Sequence, residues 1–328
     1  MSGMSELASR SLSGISSKAY QHPADRAATA ALQAIPGLDA VIRKLIELRY
    51  ERAFRQSLMA RAVRVGPDQL PTVWSKWEDV VKTLDLPASY DLYVTSFPIA
   101  NAAAIGSERP IVVLNSASIT LFDEQELHTV LAHEGGHILS DHVLYQTALL
   151  IMLQLVPLGR TPTLAGLPTI AIRSALLEWF RAAELSADRA ATLVNRDPVV
   201  TSRTLLVLAG DLPSKELDVN AFLRQARDYH DWESGWDRLS RLTTELNLTH
   251  SSPVRRVAEL MSWVRSGDYD RIVGGTYRKR DEKVDAGAEA EEAFKHYRER
   301  FQRIFEDTGE SIGNVGERMS DWVQRIKR

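Results

Sequence analysis

The chain has 328 residues, a formal net charge of −3 and no cysteine. That length is enough for one large domain or two smaller ones, and the charge gives no electrostatic case for a nucleic-acid partner. The lack of thiols excludes disulfides and any cysteine-ligated metal.

Residues 1–22 read as a disordered N-terminal segment, serine-rich and without the apolar core of a secretory signal. A cytoplasmic protein is therefore expected, with its main domain over residues 23–277. Helices are expected over 24–34 and 38–64, separated at Pro36 and Gly37, with Val41, Leu45, Leu48, Ala53 and Leu58 as the apolar stripe of the second. A shorter helix over 74–84 carries Trp77, Val80, Val81 and Leu84 on one face. The short β-branched runs 92–95 and 111–114 are the strand candidates.

A helix then opens at Asp123, with Glu126 three residues later to complete a capping box. It contains His133, Glu134, Gly135, Gly136 and His137. Positions i and i+4 lie about 40° apart around a helix, so both imidazoles point the same way and are spaced to hold one Zn²⁺. Glu134 is about 100° further round, near enough to act on a water at the metal without ligating it. Leu127, Val130, Leu131, Ile138 and Leu139 make this a core helix rather than a solvated one. Two interior glycines each cost roughly 0.8–1.0 kcal/mol against alanine, which predicts a backbone lying close to another element or to a substrate.

The apolar runs 148–158 and 164–172 are interrupted by Pro157 and Pro168, and neither reaches the ~20 residues of a spanning helix. They read as a buried helical hairpin, with contact at a bilayer interface as the alternative. The alanine-rich stretch 181–191 then places Glu184 and Asp188 on one helix face. Alone, that pair would be a solvated face neutralised by Arg181 and Arg189. After a HExxH helix it supplies Glu184 as third zinc ligand and Asp188 as the group that fixes a ligand histidine's tautomer. Further helices are expected over 221–229 and 255–264, and Trp232, Trp236 and Trp263 are expected as core anchors. Residues 278–328 form a charged tail with two amphipathic stripes, one from Phe294 to Phe305 and one from Ile312 to Ile326. Such a tail would fold back on the domain or self-associate.

These motifs, in this order, resemble the zinc metalloproteases that include the HtpX-like heat-shock proteases and the type I CAAX prenyl proteases, gluzincins with HExxH followed by ExxxD. Residues 98–106 resemble the family's Pro-Asn-Ala-Phe segment, with two extra residues between Pro98 and Asn101. Residues 111–115 resemble its strand before the active-site helix, and residues 184–188 its third-ligand motif. His250 and Arg256 resemble its His-Pro…Arg stretch, with the proline displaced to Pro253. The resemblance implies that His250 reaches the oxyanion, that Arg256 orients or supplements it, and that substrate backbone lies against an edge at Asn101, Ala102 and the two alanines beyond. The named relatives are integral membrane proteins, a point on which this chain departs from them.

The sequence thus predicts a predominantly helical α+β, zincin-like domain with a small sheet. It is expected to bind one zinc per subunit through His133, His137 and Glu184, and to cleave a protein or peptide substrate with Glu134 as base. Peripheral contact with the inner face of a membrane stays open. So do a protease fold that no longer cuts and a hydrolase of a non-peptide substrate.

Overall fold

A computed structural model describes residues 11–46, 51–107, 109–155, 169–231, 252–282 and 288–306. Helix α1 (Pro23–Gln33) starts with Pro23 in its first turn and the His22 ring accepting from the Ala24 amide, a polar cap on an alanine-rich body. Gly37, in the left-handed region, turns the chain into α2 (Leu38–Leu45). The helix expected over 38–64 does not reach its expected end: α3 (Glu51–Arg61) stops at Arg61, and residues 63 and 64 form a short strand, β1 (Val63–Arg64), while residues 47–50 lie outside the described residues. Then come α4 (Pro71–Thr83), β2 (Leu92–Thr95), β3 (Ala102–Ile105), β4 (Ile111–Asn115) and α5 (Ser116–Leu121).

The HExxH helix is α6 (Glu124–Leu139), and it has the expected capping box. The Asp123 carboxylate accepts from the Gln125 and Glu126 amides, and the Glu126 carboxylate from the Asp123 amide. The chain continues through α7 (Val143–Leu155), α8 (Thr169–Asn195), α9 (Pro198–Gly210), α10 (Val219–Asp231), α11 (Pro253–Arg265), α12 (Asp268–Val273) and α13 (Ala288–Glu306). Helices α5, α9 and α12 were not anticipated, although Asp197 followed by Pro198 is an N-cap and first-turn pair of the ordinary kind.

The four-stranded sheet has the order β1-β2-β4-β3, with β2 and β4 parallel and the two outer strands antiparallel. In register, Ala102 faces Leu114 and Ala104 faces Val112. One hydrophobic core lies where the sheet meets α4 and α6, around Trp77, Leu92, Val112, Leu114 and Leu131. A second, among α1, α2, α7 and α8, is built on Leu32, Ile42, Leu149, Leu176 and Trp179. Helix α8, 27 residues long, belongs to both: its first half packs into the second core, and its last turns, with Ala190 and Leu193, pack into the first.

The described part of the apolar 148–172 stretch lies in the second core, where Ala148, Leu149, Ile151 and Met152 are buried. Residues 156–168 lie outside the described residues. Among the described residues no helix is long and apolar enough to cross a membrane.

The N-terminal end of the main domain differs from expectation, whereas the described part of the C-terminal tail folds back on the domain, one of the two arrangements expected for it. Residues 11–22 are packed rather than disordered: Leu12, Ile15 and Tyr20 are buried, and Arg280 donates to the Ile15 carbonyl. Apolar side chains every few residues suffice to anchor this segment despite its serines. Helix α13 folds back onto α1 and α8, with Phe294 and Tyr297 against the second core. The stripe 312–326, His250, Trp232 and Trp236 lie outside the described residues. Trp263 is buried in the first core, with the Arg189 guanidinium 5.2 Å above its ring.

Candidate metal centre

Helices α6 and α8 pack against each other at unusually short range, and small residues permit it. A Cβ on Gly136 would come within 2.6 Å of the Ala190 Cβ and 3.2 Å of the Ala187 Cα. One on Gly135 would come within 2.6 Å of Val80 on α4. The glycine pair therefore marks close packing against α4 and α8 on opposite sides, the first of the two reasons expected for it.

That proximity brings three donor atoms together. The Nε2 atoms of His133 and His137 are 3.1 Å apart; Glu184 Oε1 is 3.1 Å from the second and 3.5 Å from the first. These are the only three groups among the described residues clustered closely enough to hold a metal ion. Donors at 2.0–2.1 Å from a tetrahedral zinc would be separated by about 3.3–3.4 Å. The triangle therefore fits zinc in both its dimensions and its His₂Glu chemistry, with one position left for a fourth ligand.

The surroundings act in opposite senses on the two histidines. Burial disfavours a protonated His133, but the Glu184 and Asp188 carboxylates outweigh it and hold the imidazole up at about 10. At His137 burial prevails over the Glu184 contact, and the ring is held down at about 3. Asp188 Oδ1 lies 3.1 Å from His133 Nδ1, the nitrogen facing away from the donor triangle. Although burial would raise the Asp188 carboxyl, Arg256 and His133 hold it below the ordinary carboxylate range. The Arg256 guanidinium, on α11, binds both Asp188 and Glu184.

Glu134 projects from the same turn of α6 towards the sheet, where its Oε2 accepts from the Ala104 amide at 2.6 Å. Strand β3 is at the sheet edge. The Asn101 carbonyl accepts from the Asn115 amide, so by strand alternation the amides of Ala102 and Ala104 turn to the open side. The Ala102 amide is met by the Asn101 side chain. A cleft of about 330 Å³ runs beside this edge, over His133, Glu134 and Glu184, with Val130, Phe180 and Leu205 among its apolar walls.

The structure thus brings His133, Glu134, His137, Glu184, Asp188, Asn101, Ala102 and Arg256 to one cleft. Two buried residues that the sequence did not single out stand behind it rather than in it: His142, against His137, and Asp25, against His142. A third histidine five residues beyond the motif was one available signal. An acid on the same face of α1 as Ala28 and Leu32 was the other.

The model for Peptidase family M48 matches residues 67–264. The chloroplastic plastoglobule-localized metallopeptidase 48 of Arabidopsis thaliana is 35% identical over 269 residues, 79% of this chain and 76% of that protein. A protease HtpX homolog of Tropheryma whipplei (strain Twist) is 31% identical over 83 residues, 25% of this chain and 28% of its own length. No solved structure matches. Since the family match runs from α4 through the metal-binding helices into α11, the chain belongs to peptidase family M48, the HtpX-like zinc metalloproteases.

Proposed function

We propose that this zinc-dependent metalloendopeptidase cleaves extended polypeptide laid along the open edge of β3, with Glu134 as general base. The observation that carries the reading is the donor triangle of His133, His137 and Glu184, with Glu134 between the two histidines in sequence and against the substrate edge in space. When bound, zinc polarises the scissile carbonyl and acidifies water. Glu134 accepts the proton of the attacking water and returns it to the amide nitrogen as the C–N bond breaks. Its buried position beside the Ala104 amide fixes the carboxylate for both transfers.

Ala102 offers its backbone to the substrate in the manner of an added strand, and Asn101, whose own backbone bonds inward to Asn115 and Ser118, contributes its side chain at that edge. Asp188 orients His133, and Arg256 holds Asp188 and Glu184 in place. His250 is the proposed oxyanion donor by family resemblance. The His₂Glu order supports a gluzincin related to the type I CAAX prenyl proteases, and the HtpX likeness supports work in protein quality control. The burial of the 148–152 stretch within the second core supports a hairpin packed in protein, in a cytoplasmic enzyme that meets membranes at most peripherally.

The test is cleavage of a casein-like substrate with zinc content measured in parallel, for wild type and Glu134→Gln. The variant keeps the size of the side chain and all three ligands, so zinc should stay bound while turnover falls about 10²–10⁴-fold. Near-normal turnover would remove Glu134 from the mechanism.

A further inference from the structure

His137 has a second ring nitrogen, which faces away from the donor triangle into a buried line of side chains. Its Nδ1 lies 3.0 Å from Nδ1 of His142, and His142 Nε2 lies 3.0 Å from Asp25 Oδ2. Asp25 also accepts from Ser186 Oγ at 2.6 Å and from Thr29 Oγ1 at 3.1 Å. His142 and Asp25 are both 0% exposed. Asp25 lies on α1, outside the segment matched by the family model.

Local structure explains how His142 arrives there. Helix α6 ends in a Schellman turn: Asp141 adopts φ 61°, its amide bonds to the Ile138 carbonyl, and the His142 amide bonds to the His137 carbonyl. The chain therefore doubles back, and His142 is delivered beneath the last ligand of the motif. Trp179 closes the far side, its ring 5.6 Å from that of His142 and edge-on to it.

Only one arrangement of protons serves the metal and satisfies the whole line. If His137 is to offer a bare Nε2, its proton must sit on Nδ1 and be donated to His142 Nδ1. That nitrogen must then be bare, so the His142 proton sits on Nε2 and is donated to Asp25. The Asp25 carboxylate already receives two hydroxyl donors and acts as the terminal acceptor. Each member is thereby fixed in tautomer and ring angle, and the negative charge at the end makes His137 a more basic ligand.

We propose that Asp25 and His142 are positioning residues for the metal centre, holding His137 in the tautomer and orientation that bind zinc. The proposal rests on the zinc reading of this same site.

The test measures zinc affinity of the full chain by competition with a chromophoric chelator, in wild type, Asp25→Asn, His142→Phe and Trp179→Phe. His142→Phe keeps an aromatic ring against Trp179 but has no nitrogens. Trp179→Phe removes the indole donation to Thr29 Oγ1 (2.8 Å) but keeps an aromatic ring beside His142 and leaves the hydrogen bonds from His137 through His142 to Asp25 in place. The first two variants should bind zinc about 10–100-fold more weakly, and the third close to wild type. Equal losses in all three, or none in Asp25→Asn, would overturn the proposal. If the variants fail to fold, imidazole ¹⁵N shifts of the zinc-loaded wild type decide: His142 must appear as the Nε2–H tautomer, and any other form refutes the line. A wild-type chain that binds no zinc would instead overturn the metal reading itself.

Discussion

Arg256 grips Asp188 with two nitrogens at once: Nε donates to Oδ2 at 2.8 Å and Nη2 to Oδ1 at 2.6 Å. Its third nitrogen, Nη1, lies 2.7 Å from Glu184 Oε2. One guanidinium on α11 therefore ties together a metal ligand and the group behind another ligand, all on buried ground. The family resemblance implies that this arginine orients or supplements the oxyanion contact of His250; in the structure its donors are directed to the two carboxylates of α8.

Removing that guanidinium leaves two buried carboxylates without their shared cation. Arg256→Met should cost about 3–5 kcal/mol of stability, the usual penalty for breaking a buried pair from one side. Arg256→Lys should recover only part, because an ammonium cannot form the two parallel bonds. Urea unfolding in the presence of a chelator separates this loss from zinc binding. Unchanged stability in Arg256→Met would show the contact to be energetically idle.

Glu184 and Asp188 should separate in a zinc titration. Glu184→Ala removes a donor atom, so zinc occupancy and proteolysis should both collapse. Asp188→Ala leaves the donor triangle intact but frees the His133 ring, and affinity should fall by about 10–100-fold. Full occupancy in Glu184→Ala, measured by metal analysis after dialysis, would require a different third ligand.

The glycines of the motif give a stability prediction of opposite sign to helix propensity. Alanine at 136 would gain up to about 1 kcal/mol of propensity. However, its methyl would press on the Ala190 Cβ and the Ala187 backbone of α8, neither of which is the free end of a flexible side chain. Overpacking of this kind costs about 1–3 kcal/mol. Gly136→Ala should therefore lower the melting temperature and, by prying α6 from α8, weaken zinc binding too. A higher melting temperature would show that the helices can part freely.

The metal-binding motif could be read from the sequence because its geometry is local: a helix fixes where i and i+4 point, whatever the rest of the chain does. The same holds for the capping box at Asp123 and for the short apolar strands β2 and β4. Glu184 needed one further step, recognition of a helix face whose alanines let it approach α6. Asp25 was not legible, because its value depends on meeting a histidine 117 positions away across α8. The packing of residues 11–22 was hidden for a similar reason. Composition says serine-rich, whereas the outcome depends on three apolar side chains finding a groove between Thr83 and Arg280, whose backbone and side chain bond to the segment. Strand β3 is legible only through the family resemblance, since its run of alanines has little β-propensity and is held as a strand by pairing with β4.

Alkaline pH tests the burial of that N-terminal segment. Tyr20 is 1% exposed, and its hydroxyl lies 3.0 Å from Ser140 Oγ, at the end of α6. Burial pushes its phenol well above the ordinary value, more than the Ser140 bond lowers it. Below about pH 10 the phenol is neutral in both folded and unfolded chains, and pH has no effect through it. Above that value the unfolded chain releases the proton while the folded one retains it, so stability falls by up to about 1.4 kcal/mol per pH unit. Tyr145, whose hydroxyl donates to Asp39, is raised in the same direction by burial and adds to the slope. At pH 8, Tyr20→Phe should be less stable than wild type by about the 0.5–1.5 kcal/mol of one hydrogen bond. Between pH 10 and about 11.5 the gap should close and then reverse, because phenylalanine has no proton to lose. Melting curves of the two proteins across that range check the sign, and parallel curves would mean that Tyr20 is open to solvent and that residues 11–22 do not seal the base of α6.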